Sequence, residues 1–440
     1  METADVVIAG GGIMGCALAY QLAKRNVVVL LLERETLGSQ STGKCAGGVR
    51  QQFSMEANVR LQRMTVGMLQ DFEQETGHPA DFRQIGYLFV LTLPQQVEDF
   101  RDNMEMWHRV GLTEARWVDA AEASRMVPIL NVDDVLGCTF CPSDGIASPA
   151  DVTSGYIEAA RRAGARLKEG VEVLGIDTAS GRVQGVGTSE GDVATRLVVN
   201  CAGAWSASIG RMAGLEIPVL PYRRHIAVTG TFPAVPRTNP MTVDFRTSFY
   251  FHPEGDGVLM GMSDREEPPG FGTDVSWGFL EKVFEQAARR APALGGAGIK
   301  TAWAGLYETT PDHQAILGPV PELEGFWCAA GFSGHGFMQA PAAALLLTQM
   351  LLEKKSEIDI SPFRVHSLRE RIAREREERD LAACILSLPI GRQDHLPRLG
   401  RGDPSGRWGS ARQRLKIIAK IIKITPPRMN RAAHPIWMIV

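Results

Sequence analysis

The sequence predicts an α/β protein in which a parallel sheet with a nucleotide-binding turn is interrupted by an inserted antiparallel sheet. Three observations support this prediction: a glycine-rich turn between a strand and a helix near the N-terminus, a middle region with period-two strands, and a second glycine-rich turn before a helix at 331–352. The length of 440 residues allows two domains, or one large α/β domain with an inserted lobe.

The N-terminal stretch DVVIAGGGIMGCALAYQLAKRNVVVLLLERE has the pattern strand, turn, helix, strand and acid. Gly10 is placed to make the tight turn, Gly12 to let the backbone approach a pyrophosphate, and Gly15 to let the helix pack close to the strand. Glu33 is placed to accept hydrogen bonds from a ribose. The predicted elements are a strand over 6–9, a helix over 13–24 and a strand over 27–32. The pattern indicates a Rossmann-type site for FAD or NAD.

The middle of the chain extends the parallel sheet and then leaves it. Residues 222–263 alternate with period two, which predicts an antiparallel sheet forming one wall of a substrate lobe. The other predicted elements are helices over 150–163, 277–294 and 338–352, strands over 166–168, 171–176 and 196–201, and a hairpin turn at 180–181. The predicted domains are a discontinuous cofactor-binding domain (1–85, 142–220 and 300–365), a substrate domain (86–141 and 221–299) and a C-terminal charged helix with a basic extension (366–440).

The composition excludes several classes of protein. With 44% hydrophobic residues, 22% charged residues and a net charge of −3, the chain has no nucleic-acid-binding character. No basic residue precedes the first apolar run, and no long uncharged apolar stretch follows, so neither a secretory signal nor a transmembrane helix is expected. The seven cysteines indicate reduced thiols in a cytosol-like compartment, and Cys138 and Cys141 lack the second pair that a metal site needs. No metal site is expected.

Four motifs occur in order along the chain: GGGIMG at 10–15, CAGAW at 201–205, GLYETTPDHQAILG at 305–318 and GFSGHGF at 331–337. Together they resemble the D-amino acid oxidase superfamily of FAD enzymes, in the branch of sarcosine oxidase, glycine oxidase and dimethylglycine dehydrogenase. The resemblance covers about residues 5–370. It implies the glutathione-reductase-like FAD fold, in which a Rossmann-type FAD-binding domain carries an inserted antiparallel-sheet substrate domain.

The resemblance implies FAD as the cofactor, bound in an extended form. Its adenosine end would lie on the first glycine turn, and the last glycine turn with the following helix would lie against the pyrimidine edge of the flavin. Reduced flavin is anionic at that edge, and a helix N-terminus stabilises such a charge by about 0.3–2 kcal/mol. The expected cofactor-binding residues are Gly10, Gly12, Ile13, Met14, Gly15, Glu33, Arg34, Thr42, Cys45, Val173, Ala202, Gly203, Trp205, Gly305, Gly331, Gly334, Gly336, Phe337 and Met338.

The resemblance also implies the reaction, which is hydride transfer to flavin N5 from a secondary or tertiary amino acid (sarcosine-, dimethylglycine- or proline-like). The substrate carboxylate calls for an arginine, because its fork binds carboxylates bidentately. Arg50 is expected to supply this cation. Tyr250 and His252, on one predicted strand, are candidates for the pocket wall. His335, in the last glycine turn, is expected close to the flavin.

Several positions depart from the relatives. Gly305 stands where monomeric sarcosine oxidase attaches its flavin through a cysteine, so a non-covalent flavin is expected, with a cysteinyl link at Cys45 as the alternative. Met338 replaces a lysine that helps bind carboxylate, and the arginine that glycine oxidase carries near the position of Tyr307 is absent. Leu259 aligns near the lysine that promotes the reaction with oxygen in sarcosine oxidase. A dehydrogenase is therefore expected more than an oxidase.

A non-enzymatic alternative stays open. The segment STGKCAGGVRQQFS at 41–54 is similar to the corresponding segment of a mitochondrial flavoprotein that assists the assembly of respiratory complexes. In that case FAD would be structural. For the enzyme, the expected partners are an amino acid substrate and an electron acceptor (a protein, a quinone or oxygen), with further subunits left open and no nucleic acid. The expected location is the cytoplasm, or the mitochondrial matrix in a eukaryote.

The C-terminal region departs from the family pattern. A charged helix is expected over 366–380, and a basic extension follows it over 381–440. Residues 411–424 have the pattern of a basic amphipathic helix. Two interpretations stay open for this stretch: a weak contact with an anionic membrane surface, or an extension with no selected role.

Overall fold

The computed structural model describes residues 2–353, 355–368 and 370. The strands are β1 (Glu2–Thr3), β2 (Val6–Ala9), β3 (Val29–Leu32), β4 (Gly48–Val49), β5 (Tyr87–Leu91), β6 (Arg116–Val118), β7 (Gly137–Cys141), β8 (Gly145–Ile146), β9 (Arg166–Lys168), β10 (Val173–Ala179), β11 (Arg182–Thr188), β12 (Gly191–Ala194), β13 (Val198–Asn200), β14 (Leu220–Thr229), β15 (Met241–Asp244), β16 (Tyr250–Glu254), β17 (Gly257–Met262), β18 (Ile299–Thr309), β19 (Ile316–Pro319) and β20 (Phe326–Ala330). The helices are α1 (Ile13–Ala23), α2 (Glu56–Gln70), α3 (Phe72–Thr76), α4 (Pro94–Arg109), α5 (Ala120–Met126), α6 (Pro149–Arg162), α7 (Ser206–Met212), α8 (Trp277–Arg290) and α9 (Gly336–Glu353).

A mainly parallel sheet carries the first glycine turn. Its strand order is β19, β20, β13, β2, β3, β9, and only β19 runs antiparallel to its neighbour. Helix α1 is buried along its whole length and packs against α6 and α9. Strands β2 and β3 are fully buried apolar runs, as expected for a parallel sheet covered on both faces. This layer places the N-termini of α1 and α9 at the same cleft.

A second sheet of eight strands contributes a wall of the same cleft. Its order is β18, β14, β17, β16, β15, β5, β7, β6, and its pairs are antiparallel except for β15 with β5. One face packs on α8 through an apolar cluster that includes Phe251, Met260, Leu280 and Val283. The other face carries Tyr250 and Tyr307. Smaller sheets form from β1, β12, β11 and β10, and from β4 with β8.

The predicted elements agree with the structure except at their ends. Strand β9 and the hairpin of β10 with β11 match the prediction, whereas α8 ends at Arg290 instead of residue 294. Pro292 explains this difference, because the residue before a proline disfavours helical geometry. The domain boundaries stay a prediction. Strand β18 belongs to the eight-stranded sheet, although most of it falls in the segment predicted to bind the cofactor.

Several features bear on the other predictions. Within the described part of the chain, no helix is both long and apolar enough to cross a membrane, and no group of His, Cys, Asp and Glu side chains could hold a metal ion. The six described cysteines are free thiols. Residues 371–440 lie outside the described residues, and with them most of the charged helix at 366–380, the basic extension at 381–440 and the amphipathic pattern at 411–424.

Candidate functional site

The first glycine turn lies between β2 and α1. Gly10 has a φ of +111°, and a Cβ atom on it would lie 2.5 Å from the carbonyl oxygen of Cys201. A Cβ atom on Gly15 would lie 2.0 Å from the carbonyl oxygen of Gly10. Glycine is required at these two positions, because the chain after β13 and the helix approach the turn too closely for any side chain.

The N-terminus of α1 faces the cleft in front of it. Its N-cap residue, Gly12, has no side chain that could cap the helix. The amide of Ile13 donates a hydrogen bond to Thr42 Oγ1 at 3.1 Å. The carboxylate of Glu33 accepts a hydrogen bond from the amide of Gly11 at 2.7 Å, which fixes it beside the turn. A helix N-terminus and a neighbouring carboxylate fit the pyrophosphate and the ribose of a dinucleotide.

A cleft of about 390 Å³ includes residues of both glycine turns in its lining. The predicted cofactor residues that line it are Gly10, Gly12, Ile13, Met14, Glu33, Arg34, Thr42, Cys45, Val173, Ala202, Gly203, Trp205, Gly334, Gly336 and Phe337. The predicted cofactor residues outside this lining are Gly15, Gly305, Gly331 and Met338. The structure therefore brings residues from all four sequence motifs to one cleft, while their individual roles toward FAD stay predictions.

We expect Gly12→Asp to weaken FAD binding at least about tenfold without unfolding the protein. The backbone of Gly12, with φ −72° and ψ −179°, suits any residue, and aspartate is a favoured N-cap. Its negative charge would lie where the pyrophosphate is expected. FAD titration of the apoprotein and urea unfolding of the apoprotein measure the two effects. An unchanged FAD affinity would contradict this placement of the cofactor.

The second glycine turn joins β20 to α9 and is covered by a tyrosine. A Cβ atom on Gly334, whose φ is +98°, would lie 2.4 Å from Cε2 of Tyr307. A Cβ atom on Gly331, whose φ is +77°, would lie 2.4 Å from Cγ2 of Thr310. The two glycines let β18 and the residue after it pack directly on the turn. Helix α9 begins at Gly336, two residues before the predicted start.

Glu308 is a cleft residue that the sequence predictions missed. Its Oε2 accepts a hydrogen bond from the amide of Gly331 at 3.1 Å, and its Oε1 lies 3.4 Å from the position of a Cβ atom on Gly336. Burial raises the pKa of this carboxyl to about 7, although hydrogen bonds from the backbone of Gly331 and Phe332 lower it. A titratable carboxyl group therefore lies where α9 begins. Its position in the 305–318 motif is the feature of the sequence that could have identified Glu308 as a cleft residue.

Glu308 should make the stability of the apoprotein depend on pH between about 5 and 8. Because the folded-state pKa is raised to about 7, the folded protein binds this proton more tightly than the unfolded chain does. The free energy of unfolding therefore falls as pH rises through that window, and Glu308→Gln should lose this contribution. Urea unfolding across the window measures it. The exposed Glu324 provides the control Glu324→Gln, which should follow the wild type, and equal slopes for all three proteins would exclude the effect.

Arg50 follows β4 and is 2% exposed. Its Nη1 donates to the carbonyl oxygen of Gln52 at 2.7 Å, and its Nη2 lies 3.0 Å from Nε2 of His335. Because a guanidinium has only donors, Nε2 of His335 accepts this hydrogen bond. The guanidinium carbon lies 4.0 Å from the centre of the Phe53 ring. Burial lowers the pKa of Arg50 to about 10. Two residues predicted from separate motifs, Arg50 and His335, are thus in direct contact.

Tyr250 and His252 lie on the same strand but have different surroundings. Burial raises the pKa of Tyr250 well above the usual range, and the charge of Tyr307 adds to this effect. The ring nitrogens of His252 lie 3.0 Å from the carbonyl oxygen of Pro253 and 3.1 Å from that of Ala46. These contacts tie β16 to the segment before β4, so His252 supports the wall of the site. A role for His252 in the pocket wall stays a prediction.

An arginine from a distant part of the chain lies beside Tyr307. It is Arg224 of β14, whose guanidinium carbon lies 5.3 Å from the centre of the Tyr307 ring. Met338, which replaces the lysine of the relatives, is buried in α9. The cation beside Tyr307 therefore comes from the eight-stranded sheet.

The three positions that depart from the relatives have different surroundings. Cys45 lines the cleft, and burial raises the pKa of its thiol to about 12, which disfavours a covalent thioether to the cofactor. A Cβ atom on Gly305 would lie 2.9 Å from Cβ of Lys44, so the lysine takes the space in front of this glycine. Leu259 packs in an apolar cluster with Ile226.

Comparison with known proteins identifies the family of this chain. The family described as DAO, FAD dependent oxidoreductase, matches residues 5–350. Mitochondrial sarcosine dehydrogenase of Homo sapiens is 32% identical in an alignment of 403 positions that covers 87% of this chain and 44% of that protein. This chain therefore spans less than half of that relative's length. Glycine oxidase of Geobacillus kaustophilus (strain HTA426) is 29% identical and covers 82% of this chain and 96% of that protein.

A solved structure also matches the fold. L-proline dehydrogenase from P. horikoshii superimposes with a TM-score of 0.78 and 34% identity, covering 82% of this chain and 97% of that one. The match confirms the predicted fold class, with its Rossmann-type sheet and its inserted antiparallel sheet, and FAD is the cofactor that the cleft fits. The chain belongs to the DAO family of FAD-dependent oxidoreductases.

Proposed function

We propose that this protein is an FAD-dependent dehydrogenase of a secondary or tertiary amino acid of the sarcosine, dimethylglycine or proline type. The observation that carries the proposal is Arg50, a buried arginine held against His335 and Phe53 beside the second glycine turn. An amino acid carboxylate needs such a cation close to the cofactor. The names of the relatives, sarcosine dehydrogenase and L-proline dehydrogenase, support this substrate class.

When bound, FAD supplies the acceptor for a hydride. The residues of the chain bind and orient the substrate. Arg50 holds the carboxylate through its fork, and His335 keeps the guanidinium in place by accepting a hydrogen bond from Nη2. The rings of Phe53 and Phe89 lie against the guanidinium and exclude water, which strengthens the ion pair with the substrate. Tyr307 closes the site over the second glycine turn.

The electrons should leave to a protein or a quinone rather than to oxygen. Leu259, which aligns near the oxygen-activating lysine of sarcosine oxidase, packs in an apolar cluster, so superoxide-like charge gains little stabilisation there. The acceptor, any partner subunits and a location in the cytoplasm or the mitochondrial matrix belong to this proposal. Hydrogen peroxide formation under air should be much slower than anaerobic reduction of the flavin. Equal rates of the two would contradict the assignment as a dehydrogenase.

The test of the function is anaerobic bleaching of the visible flavin band. Sarcosine, dimethylglycine and proline should be compared with glycine and D-alanine, which are primary amines. At least one of the three N-substituted compounds should bleach the flavin faster than both primary amines. If no amine bleaches a flavin that stays tightly bound, the protein is a structural flavoprotein, in agreement with the assembly-factor alternative.

A further inference from the structure

The sheet face that carries Tyr307 also holds a second arginine. In the pairing of β14 with β18, Tyr222 lies opposite Tyr307, and Arg224 lies opposite Gly305. Directly paired residues of antiparallel strands project from the same face of the sheet. The guanidinium carbon of Arg224 lies 5.3 Å from the centre of the Tyr307 ring and 5.7 Å from that of Tyr222. The two tyrosines therefore hold this guanidinium by cation–π contacts.

Arg224 has a buried donor that no protein group satisfies. Its Nη1 donates to the carbonyl oxygen of Arg223 at 2.8 Å, whereas its Nε is buried without a hydrogen-bond partner. A buried donor left unsatisfied costs about 1–3 kcal/mol, so the arrangement indicates an acceptor on a ligand. The nearby acids are engaged elsewhere: the carboxylate of Glu267 binds Nε of Arg223 at 3.0 Å, and Asp264 accepts from the amide of Glu266.

Arg50 and Arg224 lie near the same tyrosine. Tyr307 packs on Gly334, the neighbour of His335, which Arg50 contacts through Nη2, and Arg224 lies over the ring of the same tyrosine. A single carboxylate fills one arginine fork. The two guanidinium groups therefore match a ligand with two acidic groups better than a ligand with one.

We propose that Arg224 forms a second carboxylate subsite and that the substrate is an N-substituted amino acid with two acidic groups. One carboxylate binds at Arg50, and the other, on the side chain or the N-substituent, binds at Arg224. This inference rests on the proposed amino acid oxidation and narrows its substrate class.

The test uses pairs of compounds that differ by one carboxylate: sarcosine with iminodiacetate, and N-methylalanine with N-methylaspartate. In the wild type, the dicarboxylate of at least one pair should reduce the flavin at least about tenfold more efficiently. Arg224→Met should raise the KM for that dicarboxylate about 10- to 100-fold and the KM for its partner less than about threefold. Arg237→Met removes the same charge at an exposed position and should leave both KM values unchanged.

A binding measurement separates the subsite from the reaction. Malonate should perturb the flavin spectrum at lower concentration than acetate in the wild type, and this preference should disappear in Arg224→Met. If the malonate preference depends on Arg224 while no amine reduces the flavin, the proposed reaction fails and the subsite stands. If amines reduce the flavin without preferring a second carboxylate, or if Arg224→Met affects both members of each pair equally, the subsite is overturned.

Discussion

Arg50→Met should lower the efficiency of flavin reduction by the substrate about 30- to 3,000-fold, with FAD still bound. This range corresponds to the loss of about 2–5 kcal/mol when one partner of a buried, hydrogen-bonded charge pair is removed. Arg50 is outside the lining of the cofactor cleft, and its contacts include Gln52, His335 and Phe53. The loss should therefore fall on substrate binding and orientation. Anaerobic stopped-flow reduction and the FAD content of the purified variant measure the two properties.

Arg50→Lys is the informative companion variant. Lysine keeps the positive charge but replaces the planar fork with a point donor, so an intermediate loss is expected. If Arg50→Lys reduces the flavin as efficiently as the wild type, the positive charge alone binds the carboxylate and the planar fork is not needed. If Arg50→Met reduces as fast as the wild type, the carboxylate binds elsewhere, and the role of Arg50 in the proposed function is wrong.

The first glycine turn could be predicted because its determinants are local. Gly10, Gly12, Gly15 and Glu33 all belong to one strand, helix and strand unit, so their spacing alone places them together. The structure adds the reason for the first and third glycines, since a side chain at either would collide with a backbone carbonyl oxygen. Local patterns likewise predicted α1, α6, α8 and α9 to within four residues, whereas α2, α4 and α5 were not predicted.

The pair of arginines could not be predicted, because it depends on the register between distant strands. The alternation in PYRRHIAVTG predicts a strand, but it does not identify β18 as the neighbour. Arg224 lies beside Tyr307 only in the observed register, and a slip of one residue would move it to the other face of the sheet. The arginine beside Tyr307 comes from another part of the chain, so the sequence around that tyrosine does not reveal it.

His252 and Glu308 show a second limit of sequence reasoning. A histidine between apolar strand residues has the same pattern whether it binds substrate or backbone, and here its ring nitrogens lie against two backbone carbonyl oxygens. The position of Glu308 inside the cleft follows from the packing of β18 on the second glycine turn, which no local pattern encodes. Hydrogen-bond partners, more than residue type, decide such roles.

Arg290→Met should destabilise the apoprotein by about 3–5 kcal/mol, the typical cost of breaking a buried ion pair by removing one partner. The side chain of Arg290, at the end of α8, is 3% exposed. Its Nε donates to Oδ2 of Asp244 at 2.7 Å, and its Nη1 donates to the carbonyl oxygen of Asn131 at 2.7 Å and to Asp134 at 2.8 Å. Without it, the carboxylate of Asp244 is left buried with no counter-charge. Urea unfolding followed by circular dichroism measures the loss.

Arg289 provides the matched control, because it also pairs with Asp134 but its side chain is 51% exposed. Arg289→Met should cost less than about 1 kcal/mol, since exposed ion pairs contribute little. Equal losses for the two variants would show that burial of the ion pair is not the cause of the instability.

A double variant separates the buried charge from the other contacts of Arg290. Asp244→Asn keeps an acceptor for the amides of Arg246 and Thr247, which Asp244 binds through Oδ1, but removes the negative charge. If the unpaired carboxylate is the main cost of Arg290→Met, adding Asp244→Asn should restore about 1–3 kcal/mol of the free energy of unfolding. If the double variant is as unstable as the sum of the two single variants, the loss arises instead from the contacts that join α8 to the segment around Asn131, because only the charge term depends on both partners.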